Sequence, residues 1–174
     1  MRKEIQSSFP GTPLSEQDFN EGKILYNYDK LNGIFHWDTG VAIGQYLAGL
    51  KDGKLIGSYC SKCRKKVIPP RIVCEWCFSP MSSFITLKDT GTINTYSICY
   101  VTWDVQRIKE PELPAVIEID GASPLHGILH KLGEVELDKI HIGMRVKAVW
   151  KPPSKREGAI TDIIYFKPIK EEEK

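Results

Sequence analysis

Two pairs of cysteines carry the clearest chemical signal in this sequence. Cys60 and Cys63 form one C-x2-C pair, Cys74 and Cys77 form a second, and ten residues separate the pairs. A two-residue spacer lets both sulfurs of a pair reach one ion, and two pairs supply the four thiolates of a tetrahedral site. The pattern predicts a structural Zn²⁺ site, because four protein ligands leave no position for a reactive water. Iron, which rubredoxins bind with similar pairs, is the alternative metal.

Motifs of independent catalysis are missing from the sequence. Cys99, the fifth cysteine, lies in a predicted strand and has no neighbouring base in sequence. The chain contains no G-x-S-x-G, no glycine-rich phosphate loop and no H-E-x-x-H. The sequence therefore disfavours an enzyme that works alone.

The charge of the chain is small in total and concentrated in one place. Its 24 basic and 22 acidic residues leave a net charge of +2, too little for a protein that wraps a long polyanion. Residues 51–75, however, contain seven basic and two acidic residues. This stretch predicts either a solvated face or a local site for one phosphate-bearing ligand.

No segment of the sequence indicates a membrane span or a secretory leader. The basic residues at the start are not followed by an apolar region, and the longest uncharged run, 90–103, is too short to cross a bilayer. We expect a cytoplasmic protein without a membrane partner.

The residues before the cysteines predict a helical N-terminal arm over 1–53. Ser15 and the acidic residues after it favour a short helix that ends near Gly22, and Thr39 is a candidate cap for a second helix over 41–51. These helices either cover the protein's own core or, with seven aromatic residues in the first fifty, form an arm that docks on a partner.

The residues after the cysteines change to strand periodicity. Five strands are predicted, over 92–102, 115–120, 125–132, 144–150 and 159–166. Their number and spacing favour a five-stranded OB-fold barrel, with an SH3-like barrel as the competitor. The predicted fold is thus mainly β with N-terminal α: an arm over 1–53, a rubredoxin-like zinc ribbon over 54–83, the barrel over 84–168 and a charged tail over 169–174.

Several local motifs resemble those of a zinc-ribbon plus OB-fold family whose members accompany thiolases and related acyl-CoA enzymes. The resemblance runs from about Gly53 to Pro168. Its matching segments are Gly53-Lys54-Leu55, the two cysteine pairs, Pro69-Pro70-Arg71, Gly91-Thr92, Gly143-Met144-Arg145-Val146 and Phe166-Lys167-Pro168. The N-terminal arm is similar to that of subunits paired with thiolases of aromatic acyl-CoAs, such as benzoylsuccinyl-CoA thiolase.

The resemblance implies a non-catalytic subunit of a CoA-dependent thiolase, an acyltransferase. Such a subunit docks on the thiolase-fold catalytic subunit in a hetero-oligomer and helps to shape or bind the site of coenzyme A or acyl-CoA. From charge and position, the candidate contacts to the CoA phosphates are Lys65, Lys66, Arg71, Lys155 and Arg156.

A single-stranded nucleic-acid binder is the alternative function. Zinc ribbons and OB barrels both bind single strands through basic grooves and stacked aromatic residues. Tyr96, Tyr100 and Trp103 are the candidate stacking residues, although their parity along the predicted strand differs.

Overall fold

The computed structural model describes residues 15–23, 32–102 and 104–169, and it divides the chain into two compact units, 1–37 and 38–174. In the first unit, helix α1 (Glu16–Asn20) begins at Ser15. The Ser15 hydroxyl accepts from the Asp18 amide, and the Asp18 carboxylate accepts from the Ser15 amide at 3.0 Å. This reciprocal cap confirms the predicted start of the helix. Of the seven aromatic residues in the first fifty, Phe9, Tyr26 and Tyr28 lie outside the described residues.

Helix α2 (Gly40–Lys51) opens the second unit and confirms the helix predicted over 41–51. Thr39 makes no side-chain cap; the Gly40 amide instead donates to the Asp38 carboxylate at 3.0 Å. Tyr46 and Leu50 are buried in the common core. This helix therefore covers the protein's own core, as one of the two interpretations held.

A three-stranded antiparallel sheet follows the helix. It contains β1 (Leu55–Tyr59), β2 (Lys66–Val67) and β3 (Ser83–Leu87) in the order β2-β1-β3. Strand β1 also packs against α2. The sequence did not predict these strands, because they are short and their pairing is fixed by the chain that surrounds the cysteines.

Five longer strands form a second sheet, in the order β10-β9-β4-β7-β8, with antiparallel neighbours. The strands are β4 (Thr90–Tyr96), β7 (Pro114–Ile119), β8 (Gly127–Lys131), β9 (Arg145–Trp150) and β10 (Ile163–Pro168). A parallel bridge between Leu132 and Phe166 joins the outer strands and closes the sheet. This connectivity is that of the OB fold, so the predicted barrel is confirmed and the SH3-like alternative is wrong.

The strand predicted over 92–102 is divided in the structure. It continues beyond β4 as β5 (Cys99–Val101), which pairs with β6 (Arg107–Glu112) in a separate two-stranded sheet. No strand is predicted from the sequence between 102 and 115, where β6 lies, because charged residues and Pro111 interrupt that segment. The strand predicted over 159–166 begins later, since residues Ile160–Asp162 form a 3₁₀ turn.

The core lies between the barrel, the three-stranded sheet and α2. Its largest fully buried side chains include Phe166, Leu50, Leu55, Ile93 and Ile117. One cluster of buried residues contains members of all three elements, so ribbon and barrel share a continuous core. None of the helices in the described ranges has the length and apolar character needed to cross a membrane.

Candidate metal centre

The four paired cysteines converge on one point. All four Sγ atoms lie within 4.8 Å of one another. The Sγ atoms of Cys60 and Cys77 are 3.5 Å apart, and those of Cys63 and Cys74 are 3.4 Å apart. A Zn–S bond of about 2.3 Å places tetrahedral sulfurs about 3.8 Å apart, so the cluster has the size that Zn²⁺ requires.

The two cysteine turns have the same local geometry. The residue after each second cysteine lies in the left-handed region: Arg64 has φ 59° and Phe78 has φ 54°. The amide of each first cysteine closes its turn, since Cys60 donates to the Lys65 carbonyl and Cys74 to the Ser79 carbonyl, both at 2.9 Å. This wrapped backbone directs amide groups toward the sulfurs.

Backbone amides and burial shift the pKa values of three of these thiols in different directions. The backbone N–H of Ser79 lowers the pKa of the Cys77 thiol to about 6, and that of Cys77 lowers the pKa of Cys74. Burial raises the pKa of Cys63 to about 12. Since metal binds thiolates, loading must displace the proton of Cys63, and metal affinity will depend on pH.

The site has no vacant ligand position and fits a structural role. Four thiolates complete a tetrahedral shell, so no coordinated water or substrate is available for chemistry. Cys60 and Cys74 are fully buried. Such a site stabilises the folded chain and fixes the surrounding loops.

Residues at both cysteine turns contact one loop of the barrel. We call the segment 120–126 between β7 and β8 the barrel loop. Directly after the first turn, in β2, the Lys66 amide donates to Ser123 Oγ and the Ser123 amide donates to the Lys66 carbonyl, both at 2.9 Å. From the second turn, Trp76 meets the His126 ring edge-on, with centroids 4.9 Å apart. The metal centre is thereby tied to the OB fold.

The His126 ring is held between aromatic and charged groups. It is only 8% exposed, and its Nε2 lies 3.6 Å from the Glu75 carboxylate. Burial lowers the pKa of His126, so the ring is neutral at pH 7. The Lys65 ammonium lies 5.1 Å from the centroid of Trp76 on a cation–π contact. The contacts of Trp76 were not predicted from the sequence, although the position of this aromatic residue between two metal ligands could have indicated them.

Three of the predicted CoA contacts lie on the ribbon. Lys65 lies over Trp76, Lys66 is an exposed residue of β2, and Arg71 pairs with Glu75. The Arg71 amide donates to the buried Ser58 hydroxyl at 3.0 Å, which anchors the Pro-Pro-Arg segment to β1. Lys65 and Arg71 therefore both border the contact between Trp76 and the barrel loop.

The other two predicted contacts follow β9. Lys155 is exposed in a 3₁₀ turn, Pro153–Lys155. Arg156 packs on Trp150 at 5.6 Å, and its Nε donates to the Lys151 carbonyl at 2.8 Å. Its guanidinium fills the space that a side chain on Gly53 would need, and Gly53 has φ +73°. Arg156 therefore has a packing role whether or not it contacts a ligand.

Two of the three candidate stacking residues of the nucleic-acid alternative lie on different strands. Tyr96 packs against the core and donates its hydroxyl to the Ile140 carbonyl at 3.1 Å. Tyr100 lies on the separate strand β5, and Trp103 lies outside the described residues.

Comparison with known proteins agrees with this architecture. A family model of the ChsH2 rubredoxin-like zinc ribbon domain matches residues 47–81, and a model of the ChsH2 C-terminal OB-fold domain matches residues 85–151. Together the two matches cover more than half of the chain. The chain belongs to the ChsH2-type zinc-ribbon and OB-fold family. The family model supports zinc as the metal of the four cysteines.

Two solved structures of this family share the fold. A DUF35-family protein of unknown function from Sulfolobus solfataricus is 29% identical, with a TM-score of 0.55 over 64% of this chain and 79% of that chain. A protein described as an Ltp2-ChsH2(DUF35) aldolase is 20% identical, with a TM-score of 0.56 over 76% of this chain and 98% of that chain. No curated protein matches the sequence.

Proposed function

We propose that this chain is a non-catalytic accessory subunit of an acyl-CoA-processing complex. It docks on a thiolase-fold catalytic subunit and helps to shape or bind the site of the CoA thioester. The metal centre supports this role because its four thiolates leave no reactive position.

The observation that carries the proposal is an exposed apolar face formed by the ribbon, β3 and the start of α2. We call Val41, Ile72, Met81 and Phe84 the ribbon face; they line one depression of about 250 Å³. Val41 is 69% exposed and Ile72 is 63% exposed. Aliphatic side chains grouped at this level of exposure mark a surface that another protein covers.

The basic residues of the ribbon suit an anionic ligand of the assembled complex, and one of them, Arg71, lines the same depression as the ribbon face. Lys65, Lys66 and Arg71 are the CoA-phosphate contacts that we favour, since all three belong to the ribbon. Lys155 and Arg156 remain candidates on the other loop. The structural neighbour described as an Ltp2-ChsH2 aldolase contains two named components, which agrees with a subunit that acts in a hetero-oligomer.

The proposal is tested by isolating the complex. The chain is tagged at its C-terminus, purified from its own cells under native conditions and analysed by native mass spectrometry. We expect a thiolase-fold protein in fixed stoichiometry. Absence of such a protein, or full acyltransferase activity of the isolated partner, would overturn the proposed role.

A matched pair of variants tests the surface. Val41→Ser combined with Ile72→Ser should abolish the complex but leave bound zinc unchanged, because neither residue is a ligand. The control is Val105→Ser, which alters another exposed aliphatic residue, 79% exposed, in the turn between β5 and β6. Equal complex formation by both variants would exclude the ribbon face as the docking surface.

A further inference from the structure

We propose that a groove on the OB barrel binds a small amphipathic organic anion, namely a carboxylate or similar head group on an apolar chain. The groove has a volume of about 510 Å³ and lies between β8 and β10, next to the loop that follows β9. This volume is in the range of small-molecule sites. The inference does not rest on the proposed function, since the groove belongs to the chain alone.

The groove exists because the barrel closes at a single bridge. Strands β8 and β10 are joined through Leu132 and Phe166, and their earlier residues are not paired with each other. Loops on this side of an OB barrel commonly border ligand sites. We call the unpaired gap between β8 and β10 the seam. It leaves space beside the outward-facing side chains of the two strands.

Aliphatic side chains line both sides of this seam. Leu129 of β8 is 67% exposed, and Ile164 of β10 and Ile160 of the preceding turn are also exposed. Leu129 and Lys131 project from the same face of β8, since side chains alternate along a strand. An apolar chain along the seam would remove the aliphatic surface from water.

The charged groups of the groove are all basic. Lys131 and Lys151 line it together with the Thr161 hydroxyl, and none of its lining residues is acidic. Lys131 forms no ion pair among the described residues. A carboxylate head group placed here would pair with the Lys131 ammonium, which has no ion-pair partner among the described residues.

The second lysine is positioned by a buried carboxylate. Asp162 is fully buried and accepts from the amides of Glu157, Gly158 and Ala159 at 2.7–3.1 Å. Lys151 Nζ lies 3.6 Å from Asp162 and 3.5 Å from Thr161 Oγ1. An ammonium has three donors, so Lys151 can contact Asp162, Thr161 and a ligand together.

The remaining polar residue of the groove forms a wall. The ring nitrogens of His130 lie 3.3 Å from the Ile160 carbonyl and 3.4 Å from the Lys131 carbonyl, and its ring packs on Phe166. The lining contains no Phe, Tyr or Trp on which a nucleobase could stack. An aliphatic anion thus fits the groove better than a nucleic acid.

The test uses the full zinc-loaded chain and octanoate as the probe. Titration is followed by amide chemical shifts in ¹H–¹⁵N NMR spectra. We expect saturable shifts confined to residues 127–131 and 160–164, with much weaker effects from octanol, which lacks the charge, and acetate, which lacks the chain. An absence of saturable shifts in these residues, or equal binding of octanol, would overturn the proposal.

Substitutions of two exposed residues of the groove test where the ligand binds. Lys131→Gln should weaken octanoate binding about fivefold, the effect of losing one exposed charge-assisted contact. Leu129→Asp should abolish binding, because it places a negative charge in the seam. Lys147→Gln is the matched control, since Lys147 is exposed on β9 and does not line the groove. Unchanged affinity in both groove variants would refute the site even if octanoate binds elsewhere.

Discussion

The contact between Trp76 and His126 gives the sharpest test of how the ribbon is joined to the barrel. The perturbation is a double-mutant cycle of Trp76→Ala, His126→Ala and the combined variant. The rings meet edge-on at 4.9 Å, and His126 is nearly buried, so solvent screens the contact little. Aromatic pairs of this geometry contribute about 0.5–1.5 kcal/mol beyond their burial, and we expect a coupling free energy of about 1 kcal/mol.

The assay is urea unfolding of zinc-saturated protein, followed by far-UV circular dichroism so that loss of Trp76 does not remove the signal. The cycle cancels the separate loss of the cation–π contact between Lys65 and Trp76. The control cycle pairs Trp76→Ala with His130→Ala, because the His130 ring packs on Phe166 instead. A coupling below about 0.3 kcal/mol for His126, or an equal coupling for His130, would refute a ribbon–barrel link through these rings.

Three further predictions follow from single side chains. Cys74→Ser should abolish stoichiometric zinc binding and unfold the ribbon, since comparable sites contribute about 10 kcal/mol or more, whereas Cys99→Ser should leave metal analysis and circular dichroism unchanged. Asp162→Ala should lower the free energy of unfolding by about 3 kcal/mol, because three backbone amides lose a charged acceptor, and Thr161→Ala should change urea unfolding little. Hydrogen bonds from Arg145 lower the pKa of Asp120 in the folded state. The ionised carboxylate therefore adds to the free energy of unfolding above pH 3.8, and this stabilisation is lost as the pH falls through the lower folded-state pKa. In urea unfolding, the free energy of Asp120→Asn should depend less on pH in this acid range than that of the wild type.

The metal ligands were predictable because their signal is local. Cys60 and Cys63 are three positions apart, and their spacing alone meets the geometric demand of one ion. The five barrel strands were predictable for a similar reason, since β9 alternates buried Val146 and Ala148 with exposed or half-buried neighbours. Patterns of this kind depend on residues close in sequence, and tertiary contacts reinforce them.

The contacts around the metal centre depend on residues far apart in sequence and were not predicted. Trp76 and His126 are separated by fifty positions, and neither belongs to a motif that names the other. Strand β2 has two residues and becomes a strand only through its pairing with β1. In the same way, β6 is too charged to be recognised as a strand without its partner β5.

The shared strand and loop have a consequence for exchanging parts between relatives. Strand β3 pairs with β1 in the ribbon sheet, yet only Lys88 and Asp89 separate it from the first barrel strand. The barrel loop, in turn, completes the surroundings of both cysteine turns. A chimera that carries a foreign ribbon should therefore also carry the matching barrel loop, and a junction placed between the two domains would divide one cooperative unit.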